Sequence, residues 1–321
     1  MLASALVVHV SIAVLTYRRN DEVRALVPQL LDQIRALPEE ASPSTSVEVL
    51  VVDNDPAGGA RDTLSPFLGR QPVVRYVHES TPGIAPARNR ALDEAAADGL
   101  VIFIDDDERP TEHWLSQMLT AWREHGSAAV GGPVVARLDD DVDPWVLAGG
   151  FFDRAFRSEF RTGQSVDTAP TGNLLLDMTR VNHHRLRFDA TLGLAGGEDT
   201  VFTRQLVGHG EQIIWCDEAE VLDRVPPERL TRRWLVRRVF MVANASTHAS
   251  LRLAVGPIAR LRVRARYLGT GLARLMIGAV RVVAGTLGRA QRTQAAGVAM
   301  TARGAGAASA AIGLRYEEYA R

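Results

Sequence analysis

Acidic side chains accumulate directly after two apolar runs of this sequence. Residues 53–55 (Asp-Asn-Asp) follow one run, and residues 105–108 (Asp-Asp-Asp-Glu) follow Val101-Ile102-Phe103-Ile104. Asp and Asn at the end of a strand commonly form turns and caps, which is a sufficient explanation for one such site. Four consecutive acids repel one another, however, and a divalent cation is the usual counter-charge. The sequence therefore predicts a metal site at residues 105–108.

The kind of metal follows from the kind of ligand. Carboxylate oxygens favour Mg²⁺ or Mn²⁺, which bind one or two protein carboxylates together with substrate phosphates. A nucleoside diphosphate is therefore the expected second ligand. Gly83 precedes a helix predicted to begin near Pro86, and Arg88 in its first turns could bind a phosphate. Taken alone, this segment is explained better by an ordinary glycine turn before a helix.

A second pair of acids, Glu198 and Asp199, follows Gly196-Gly197. A glycine loop that opens into a helix with two acids in its first turn is compatible with a catalytic base. Capping and compensation of the helix dipole, which contribute about 0.3–1 kcal/mol, explain the same residues equally well.

The elements that must position these side chains alternate between two hydrophobic periods. Continuous apolar runs predict four buried parallel strands, with helical spacing between them. After residue 128 the pattern is less regular and predicts shorter strands. The sequence thus predicts a doubly wound α/β domain, which binds ligands beyond the carboxyl ends of its strands. The predicted strands are Val8–Leu15, Val47–Asp53, Val73–Val77, Leu100–Asp105, Ala129–Val135, Asn173–Leu176 and Ile213–Cys216.

Composition excludes several classes of protein. All 37 basic residues are arginine, so mechanisms that require lysine, such as Schiff-base formation, are excluded. Cys216 is the only cysteine, which excludes an intramolecular disulfide and a cysteine-based zinc cluster. The formal net charge of −1 argues against a general nucleic-acid binder. The apolar N-terminal stretch is too short for a membrane-spanning helix and is expected to be a buried strand in a cytoplasmic protein.

Seven segments resemble, in the expected order, the family 2 inverting glycosyltransferases with a GT-A fold, and most of all the bacterial subgroup that builds surface polysaccharides and glycolipids. The likeness covers residues 10–240. The matching segments are Ser11–Arg19 (SIAVLTYRR), Val49–Asn54 (VLVVDN), Thr81–Leu92 (TPGIAPARNRAL), Val101–Pro110 (VIFIDDDERP), Gly131–Val134 (GGPV), Thr171–Leu176 (TGNLLL) and Gly196–Thr200 (GGEDT).

The resemblance implies a GT-A fold, with a Rossmann-like and mostly parallel sheet flanked by helices, and an Mg²⁺ or Mn²⁺ cofactor. It also implies a nucleotide-sugar donor, a glycan or lipid-linked acceptor and a role for each matching residue. The implied residues are Thr16, Tyr17, Arg18 and Asp53 at the nucleotide base, Asp105 at the ribose or metal, Asp107 at the metal beside Asp106, Gly172 and Asn173 at the donor sugar and acceptor, Asp199 as general base, and Glu198 as its partner.

Two departures from the family pattern stand out. Many relatives carry a histidine metal ligand where this chain has Asp223, so a carboxylate would take that place and the metal preference would differ. Residues 242–245 (Val-Ala-Asn-Ala) replace an expected glycine-containing stretch. A catalytically silent nucleotide-sugar-binding or scaffold subunit is therefore an alternative to an enzyme. A nicotinamide-dependent oxidoreductase is disfavoured, because no GxGxxG turn follows the first strand.

Charge is divided along the chain. Residues 1–228 hold 20 Arg and 36 acids, whereas residues 229–321 hold 17 Arg and two acids. We expect a catalytic domain over 1–228 and an Arg-rich extension of amphipathic helices over 229–321, broken near Gly256-Pro257. Such helices could lie on an anionic membrane or pack on protein, and we favour a peripheral position at the inner face of the cell membrane. Arg274 and Arg281 argue against a full membrane span.

Overall fold

A computed structural model describes residues 7–38, 45–138, 141–152, 160–192 and 196–316. The chain forms two compact units. The first contains Met1–Val135, Phe156–Ala190 and Phe202–Asp223, and the second contains Ala136–Ala155, Thr191–Val201 and Arg224–Arg321. These units are defined by packing alone, so the functional division expected at residue 228 stays a prediction.

The described residues alternate between strands and helices up to residue 224 and are helical beyond it. The strands are β1 (Val8–Thr16), β2 (Thr45–Asp53), β3 (Val73–His78), β4 (Leu100–Asp105), β5 (Glu108–Pro110), β6 (Ala129–Gly131), β7 (Val134–Arg137), β8 (Ser165–Val166), β9 (Asn173–Asp177), β10 (Ile213–Trp215) and β11 (Val221–Arg224). The α-helices are α1 (Asn20–Arg35), α2 (Ala60–Leu64), α3 (Ile84–Glu94), α4 (Trp114–His125), α5 (Pro144–Gly149), α6 (Met178–His183), α7 (Glu198–Gly208), α8 (Arg232–Leu253), α9 (Pro257–Leu287) and α10 (Gln291–Ala311).

The first unit is built on a mostly parallel sheet in the order β3-β2-β1-β4-β9-β6-β10-β8. β1, β2, β3 and β4 pair in parallel, as their continuous apolar runs predict, whereas β9 is antiparallel to both of its neighbours. Along β2, Val49 and Val51 pack in one core cluster and Leu50 and Val52 pack in the other. The sheet is therefore buried on both faces, which is what strands without polar alternation require.

A second, smaller sheet has the order β5-β11-β7. The prediction of one strand over Ala129–Val135 was wrong, because the chain leaves the large sheet after Gly131 and joins the small one at Val134. Gly132 donates its N–H to the carbonyl of Asn173, and Pro133 has no N–H to continue the ladder. In the small sheet Asp223 is paired directly with Glu108, which brings a distant acid to the run that follows β4.

In the second unit, α8, α9 and α10 form the predicted helical extension. Its break at Gly256-Pro257 is confirmed, and Gly256 has a left-handed φ of 87°. A further break separates α9 from α10. The two helices pack closely because Gly271, Gly278 and Gly285 face α10: a Cβ at Gly278 would lie 2.7 Å from the backbone nitrogen of Thr301.

Candidate functional site

The ends of β1 and β4 are joined by hydrogen bonds between their side chains. The Thr16 hydroxyl donates to Oδ2 of Asp106 at 2.9 Å. Nη1 of Arg19 donates to Oδ1 of Asp106 at 2.9 Å and to Oδ2 of Asp107 at 2.7 Å. Because parallel strands β1 and β4 end at the same edge of the sheet, residues far apart in sequence meet here. The structure thus brings together Thr16, Asp106 and Asp107, as the sequence predicts.

Asp105 and Glu108 face a glycine. A Cβ built on Gly172 would lie 2.6 Å from Oε1 of Glu108 and 3.1 Å from Oδ2 of Asp105, so both carboxylates would have to shift to admit a side chain. The backbone N–H of Asp105 also donates to Oε2 of Glu108 at 2.9 Å. Gly172 therefore leaves the room in which two carboxylates can approach. We call Asp105, Asp106, Asp107, Glu108 and Asp223 the acid cluster.

Burial and mutual repulsion make Asp105 and Glu108 difficult to ionise. Burial raises the pKa of Asp105, an effect that Arg88 opposes and that Asp107 and Asp223 reinforce. Burial, followed by the charge of Asp105, raises the pKa of Glu108 well above its ordinary value. A site that gathers carboxylates at this cost is a candidate for binding a cation.

Asp106 and Arg19 form the best-defined ion pair of the cluster. Burial raises the pKa of Asp106 to about 6, although the charge of Arg19 acts in the opposite direction. Burial lowers the pKa of the Arg19 guanidinium, but Asp106 and Asp107 outweigh this and raise it. Asp106 is 5% exposed, whereas the Arg19 side chain is 40% exposed, so the pair extends from the interior to the surface of the site.

The donor set of the cluster fits a hard divalent cation. It consists of carboxylate oxygens, which Mg²⁺ and Mn²⁺ prefer, and Asp223 brings one such group beside Glu108. Among the described residues, no three His, Cys, Asp or Glu side chains are arranged so that they could hold a metal by themselves. Mg²⁺ and Mn²⁺ commonly bind only one or two protein carboxylates, and substrate oxygens complete their coordination shell.

Arg88 and Gly83 lie at the N-terminal end of α3. Gly83 has a φ of 128° and donates its N–H to Oδ1 of Asn54 at 2.9 Å, which fixes the loop before the helix. Arg88 is 5% exposed, and its guanidinium carbon lies 5.5 Å from the centre of the Phe188 ring. Its charge reaches Asp105, as the pKa of that acid shows. Its role as a phosphate ligand stays a prediction.

Two predicted ligands, Asp53 and Asn173, are completely buried and hydrogen-bonded within the protein. Asp53 accepts from the N–H groups of Asp55 and Ala60, both at 2.9 Å, and from the Tyr76 hydroxyl at 3.0 Å. These contacts hold the loop that follows β2. The role of Asp53 at the nucleotide base stays a prediction.

The side-chain amide of Asn173 connects three segments. Its Nδ2 donates to the carbonyls of Pro133 and Ala219, at 2.9 and 2.7 Å, and its Oδ1 accepts from Nε1 of Trp114 at 2.8 Å. The contacts hold β9 beside the chain where it passes from β6 to β7. The structure therefore gives Asn173 a positioning task, and its contact with the donor sugar stays a prediction.

Tyr17 and Arg18 lie at the more exposed rim. Arg18 adopts a left-handed φ of 55°, and its guanidinium carbon lies 5.0 Å from the centre of the Tyr17 ring. Its Nε also donates to Oδ1 of Asp55 at 3.3 Å. This arrangement places an aromatic ring and a cation beside the carboxyl ends of β1 and β2, and the role of both residues at the nucleotide base stays a prediction.

Glu198 and Asp199 belong to the second unit, where they begin α7. Gly196 and Gly197 have left-handed φ values of 75° and 90°, and a Cβ on Gly197 would lie 3.2 Å from the carbonyl oxygen of Ala245 in α8. Glu198 is buried and Asp199 is half-buried. Oδ1 of Asp199 accepts from the N–H of Thr200 at 2.6 Å.

Two residues at the acid cluster, Glu108 and Arg19, received no individual role from the sequence. Glu108 was recognised only as the last of four acids, and the signal for its role is its pairing with Asp223, which sequence does not show. Arg19 follows Arg18 directly, so nothing in the local pattern distinguishes the arginine that binds Asp106 and Asp107 from the one at the rim.

Comparison with known proteins gives consistent matches. The model of glycosyl transferase family 2 matches residues 11–176, more than half of the chain. The succinoglycan biosynthesis protein ExoM of Rhizobium meliloti (strain 1021) is 34% identical over 248 residues, which cover 76% of this chain and 75% of that protein.

Two solved structures share the fold. The mannosyltransferase PcManGT of Pyrobaculum calidifontis, in complex with GDP-Man and Mn²⁺, has a TM-score of 0.62 at 18% identity, over 92% of this chain and 85% of that one. S. aureus TarS 1–349, in complex with UDP-GlcNAc, has a TM-score of 0.50 at 15% identity, over 90% and 89%. A further S. aureus TarS structure contains a longer chain, and the match spans 42% of that chain. These likenesses confirm the predicted GT-A fold.

Proposed function

This chain belongs to glycosyl transferase family 2, and from that premise we propose that it transfers a sugar from a nucleotide-diphosphate donor, UDP by default, to a hydroxyl group of a glycan or lipid-linked acceptor. The setting is polysaccharide biosynthesis, since the relative from Rhizobium meliloti is a succinoglycan biosynthesis protein. The nucleotide-sugar complexes of the mannosyltransferase and of TarS support a donor of this class.

The acid cluster is the observation that carries the proposal. Asp107 would bind Mn²⁺ or Mg²⁺, with one further oxygen from Asp105 or Asp223. Asp105 could instead bind the ribose, and Gly172 leaves the space beside Asp105 and Glu108. The cation, when bound, would neutralise charge on the diphosphate leaving group, a contribution that is often large in catalysis. Arg88 would add a fixed positive charge for the same diphosphate, and Thr16, Tyr17, Arg18 and Asp53 would bind the nucleoside.

The proposed reaction is a direct displacement with inversion. Asp199 accepts the proton of the acceptor hydroxyl, whose oxygen forms the new bond to the anomeric carbon. The bond from that carbon to the diphosphate oxygen breaks, and the nucleoside diphosphate leaves with the electron pair. Glu198 is buried and directly precedes Asp199 in the sequence, and it would orient the base or the acceptor. General-base assistance of this kind contributes about 10²–10⁴-fold to the rate.

We also propose that the helical extension holds the enzyme at the cytoplasmic face of an anionic membrane. Of the described residues, only α9 forms a helix long and apolar enough to cross a membrane, by length and composition. Arg274 and Arg281 interrupt its apolar stretch, which favours a position on the surface. The attraction of anionic lipids contributes about 1 kcal/mol for each basic residue near the surface.

The decisive experiment combines binding and turnover. A panel of nucleotide sugars is tested for thermal stabilisation with Mn²⁺ and with a chelator, and the best donor is then tested for release of its nucleoside diphosphate with candidate acceptors. We expect Mn²⁺-dependent stabilisation and acceptor-dependent release. Asp107→Ala should weaken both, whereas Asp98→Asn, an exposed loop acid, should change neither. Stabilisation without release under any condition would support the silent scaffold instead.

A further inference from the structure

The second unit contains an apolar pocket that the proposed reaction does not use. It has a volume of about 440 Å³ and lies among α8, α9, α10 and the segment that follows α10. Its volume is towards the lower end of the roughly 300–1,000 Å³ of small-molecule sites, which suits a segment of one hydrocarbon chain. The apolar lining is formed by Val236, Phe240, Val282, Val298, Ala302 and Ala305.

Arg233, Arg237 and the ring of Tyr316 also line the pocket. Arg233 and Arg237 are four residues apart in α8 and therefore lie on the same face of that helix. Both are exposed, and the guanidinium carbon of Arg237 lies 5.4 Å from the centre of the Tyr316 ring. The Tyr316 backbone N–H donates to Oδ1 of Asn244 at 3.3 Å, which holds this ring against α8.

Within the described part of the second unit, these two arginines have few acids around them. Residues 229–316 contain no Asp or Glu, and Glu317 and Glu318 come next in the sequence, beyond the described residues. The neighbouring Arg232 forms an ion pair with Asp143 at 2.6 Å, but within the described residues neither Arg233 nor Arg237 has an acidic side chain at ion-pair distance. The pocket thus combines an apolar interior with two guanidinium groups that are available for an anion.

We propose that this pocket binds a lipid that has one hydrocarbon chain and a phosphate at the end of that chain. The chain would fill the apolar pocket, and the phosphate would bind Arg233 and Arg237. The apolar lining removes the chain from water, and a guanidinium can donate two parallel hydrogen bonds to one phosphate. This inference rests on the proposed function for the identity of the lipid, which would be the lipid-linked acceptor. Binding itself requires no sugar transfer.

Titration calorimetry of the full chain with monomeric dodecyl phosphate tests the pocket without a membrane. We expect saturable binding at one site, about ten-fold or more tighter than binding of uncharged dodecyl maltoside or of inorganic phosphate. Arg233→Gln together with Arg237→Gln should weaken it about ten-fold or more. Arg262→Gln with Arg266→Gln, two exposed arginines of α9 outside the pocket, removes the same charge and should leave binding unchanged.

A second pair of variants tests the pocket by volume. Ala305→Trp places a ring in the cavity and should abolish binding, whereas Ala284→Trp, on the exposed side of α9, should not. Circular dichroism and the melting temperature show that each variant is folded. Equal affinity for dodecyl maltoside, retained binding in Ala305→Trp, or an equal loss in the Arg262/Arg266 control would overturn the inference.

The failure of this inference can be distinguished from a failure of the proposed function. With a water-soluble acceptor, Ala305→Trp should release nucleoside diphosphate at the normal rate. If that release occurs but dodecyl phosphate does not bind to the unaltered chain, only the lipid pocket is wrong. If dodecyl phosphate binds as expected but no donor and acceptor pair reacts, the pocket stands and the transferase proposal is wrong.

Discussion

The acid cluster and the helical extension differ in how they hold charge. In the cluster, Thr16 and Arg19 donate to particular oxygens of Asp106 and Asp107, and burial raises the pKa of Asp106 to about 6. In the extension, most arginines are exposed, and α9 packs on α10 through glycines rather than through charged side chains.

This difference separates two kinds of function. A buried carboxylate has a fixed position and a shifted pKa, so the cluster can recognise one geometry and tolerates little change. Exposed arginines act through their number more than their position, because water and salt screen each of them. We therefore expect single substitutions to have large, specific effects in the acid cluster and at Asp199, and small, additive ones at the arginines of the extension outside the pocket at Arg233 and Arg237.

Asp199→Asn should have the largest effect on turnover. The amide cannot accept the acceptor proton, so kcat should fall by about 10²–10⁴-fold. The Asn side chain keeps an oxygen for the N–H of Thr200, so the first turn of α7 should remain intact. Nucleotide-sugar affinity, measured by calorimetry with Mn²⁺, should stay within about two-fold, since Asp199 is not proposed as a donor ligand. Near-normal transfer would show that another group is the base.

A matched pair of glycine substitutions compares the two regions directly. In Gly172→Ala, the new Cβ would lie 2.6 Å from Oε1 of Glu108, so the carboxylates must move. We expect nucleotide-sugar affinity in Mn²⁺ to fall by about ten-fold or more, together with a loss of about 1–3 kcal/mol in the free energy of unfolding.

Gly278→Ala is the counterpart in the extension. Its Cβ would lie 2.7 Å from the backbone nitrogen of Thr301, so α9 and α10 must separate. A similar loss of stability is expected, but donor affinity and kcat with a soluble acceptor should be unchanged in the fraction that remains folded. If both variants lost donor affinity equally, the contrast between the two regions would be wrong.

The sequence predicted the positions of the acids better than their partners. Continuous apolar runs fix β1, β2 and β4, and the acids after them follow without knowledge of any distant residue. The pairing of Asp223 with Glu108 depends instead on the small sheet, in which β11 meets β5 from a segment more than 100 residues away. The functions of Asn173 and Arg19 are also set by partners from remote segments, so their local sequences did not reveal them.

In the helical extension, too, local features could be predicted from the sequence and contacts between helices could not. Its helical character and the break at Gly256-Pro257 were predicted, because helix propensity and a Gly-Pro break are local properties. The seven-residue spacing of Gly271, Gly278 and Gly285 was not interpreted, because a glycine in a helix acquires meaning only from the neighbour that approaches it. The pocket could not be predicted for the same reason, since it is lined by three helices.

The raised pKa values in the acid cluster predict how the stability of the protein depends on pH. Burial raises the pKa of Asp106 from 3.8 to about 6, so the folded protein binds this proton more tightly than the unfolded chain does. The Asp106 contribution to stability is therefore most favourable below pH 4 and is lost as the pH rises from about 4 to about 6, by up to about 3 kcal/mol. The pKa values of Asp105 and Glu108 are shifted in the same direction.

Urea unfolding at several pH values in the presence of a chelator measures this contribution. Asp106→Asn removes the ionisable group but keeps a polar side chain for the Thr16 hydroxyl, so stability should fall less between pH 4 and pH 6 than in the unaltered protein. Asp98→Asn should leave the pH dependence unchanged, because this loop acid is exposed. An identical dependence in Asp106→Asn would mean that Asp106 binds its proton equally in the folded and unfolded states, so that its pKa is not raised by folding.

The smallest effects are expected in the arginines of the extension. Replacing Arg262 or Arg266 by Gln should weaken binding to anionic vesicles by about 1 kcal/mol each, which is about five-fold in affinity. The free energy of unfolding should change by less than about 0.5 kcal/mol, because both side chains are exposed. The double variant should show the sum of the two losses, and high salt should remove the difference. If one position carried the whole effect, the extension would hold a specific site there, and its charge would be as localised as that of the acid cluster.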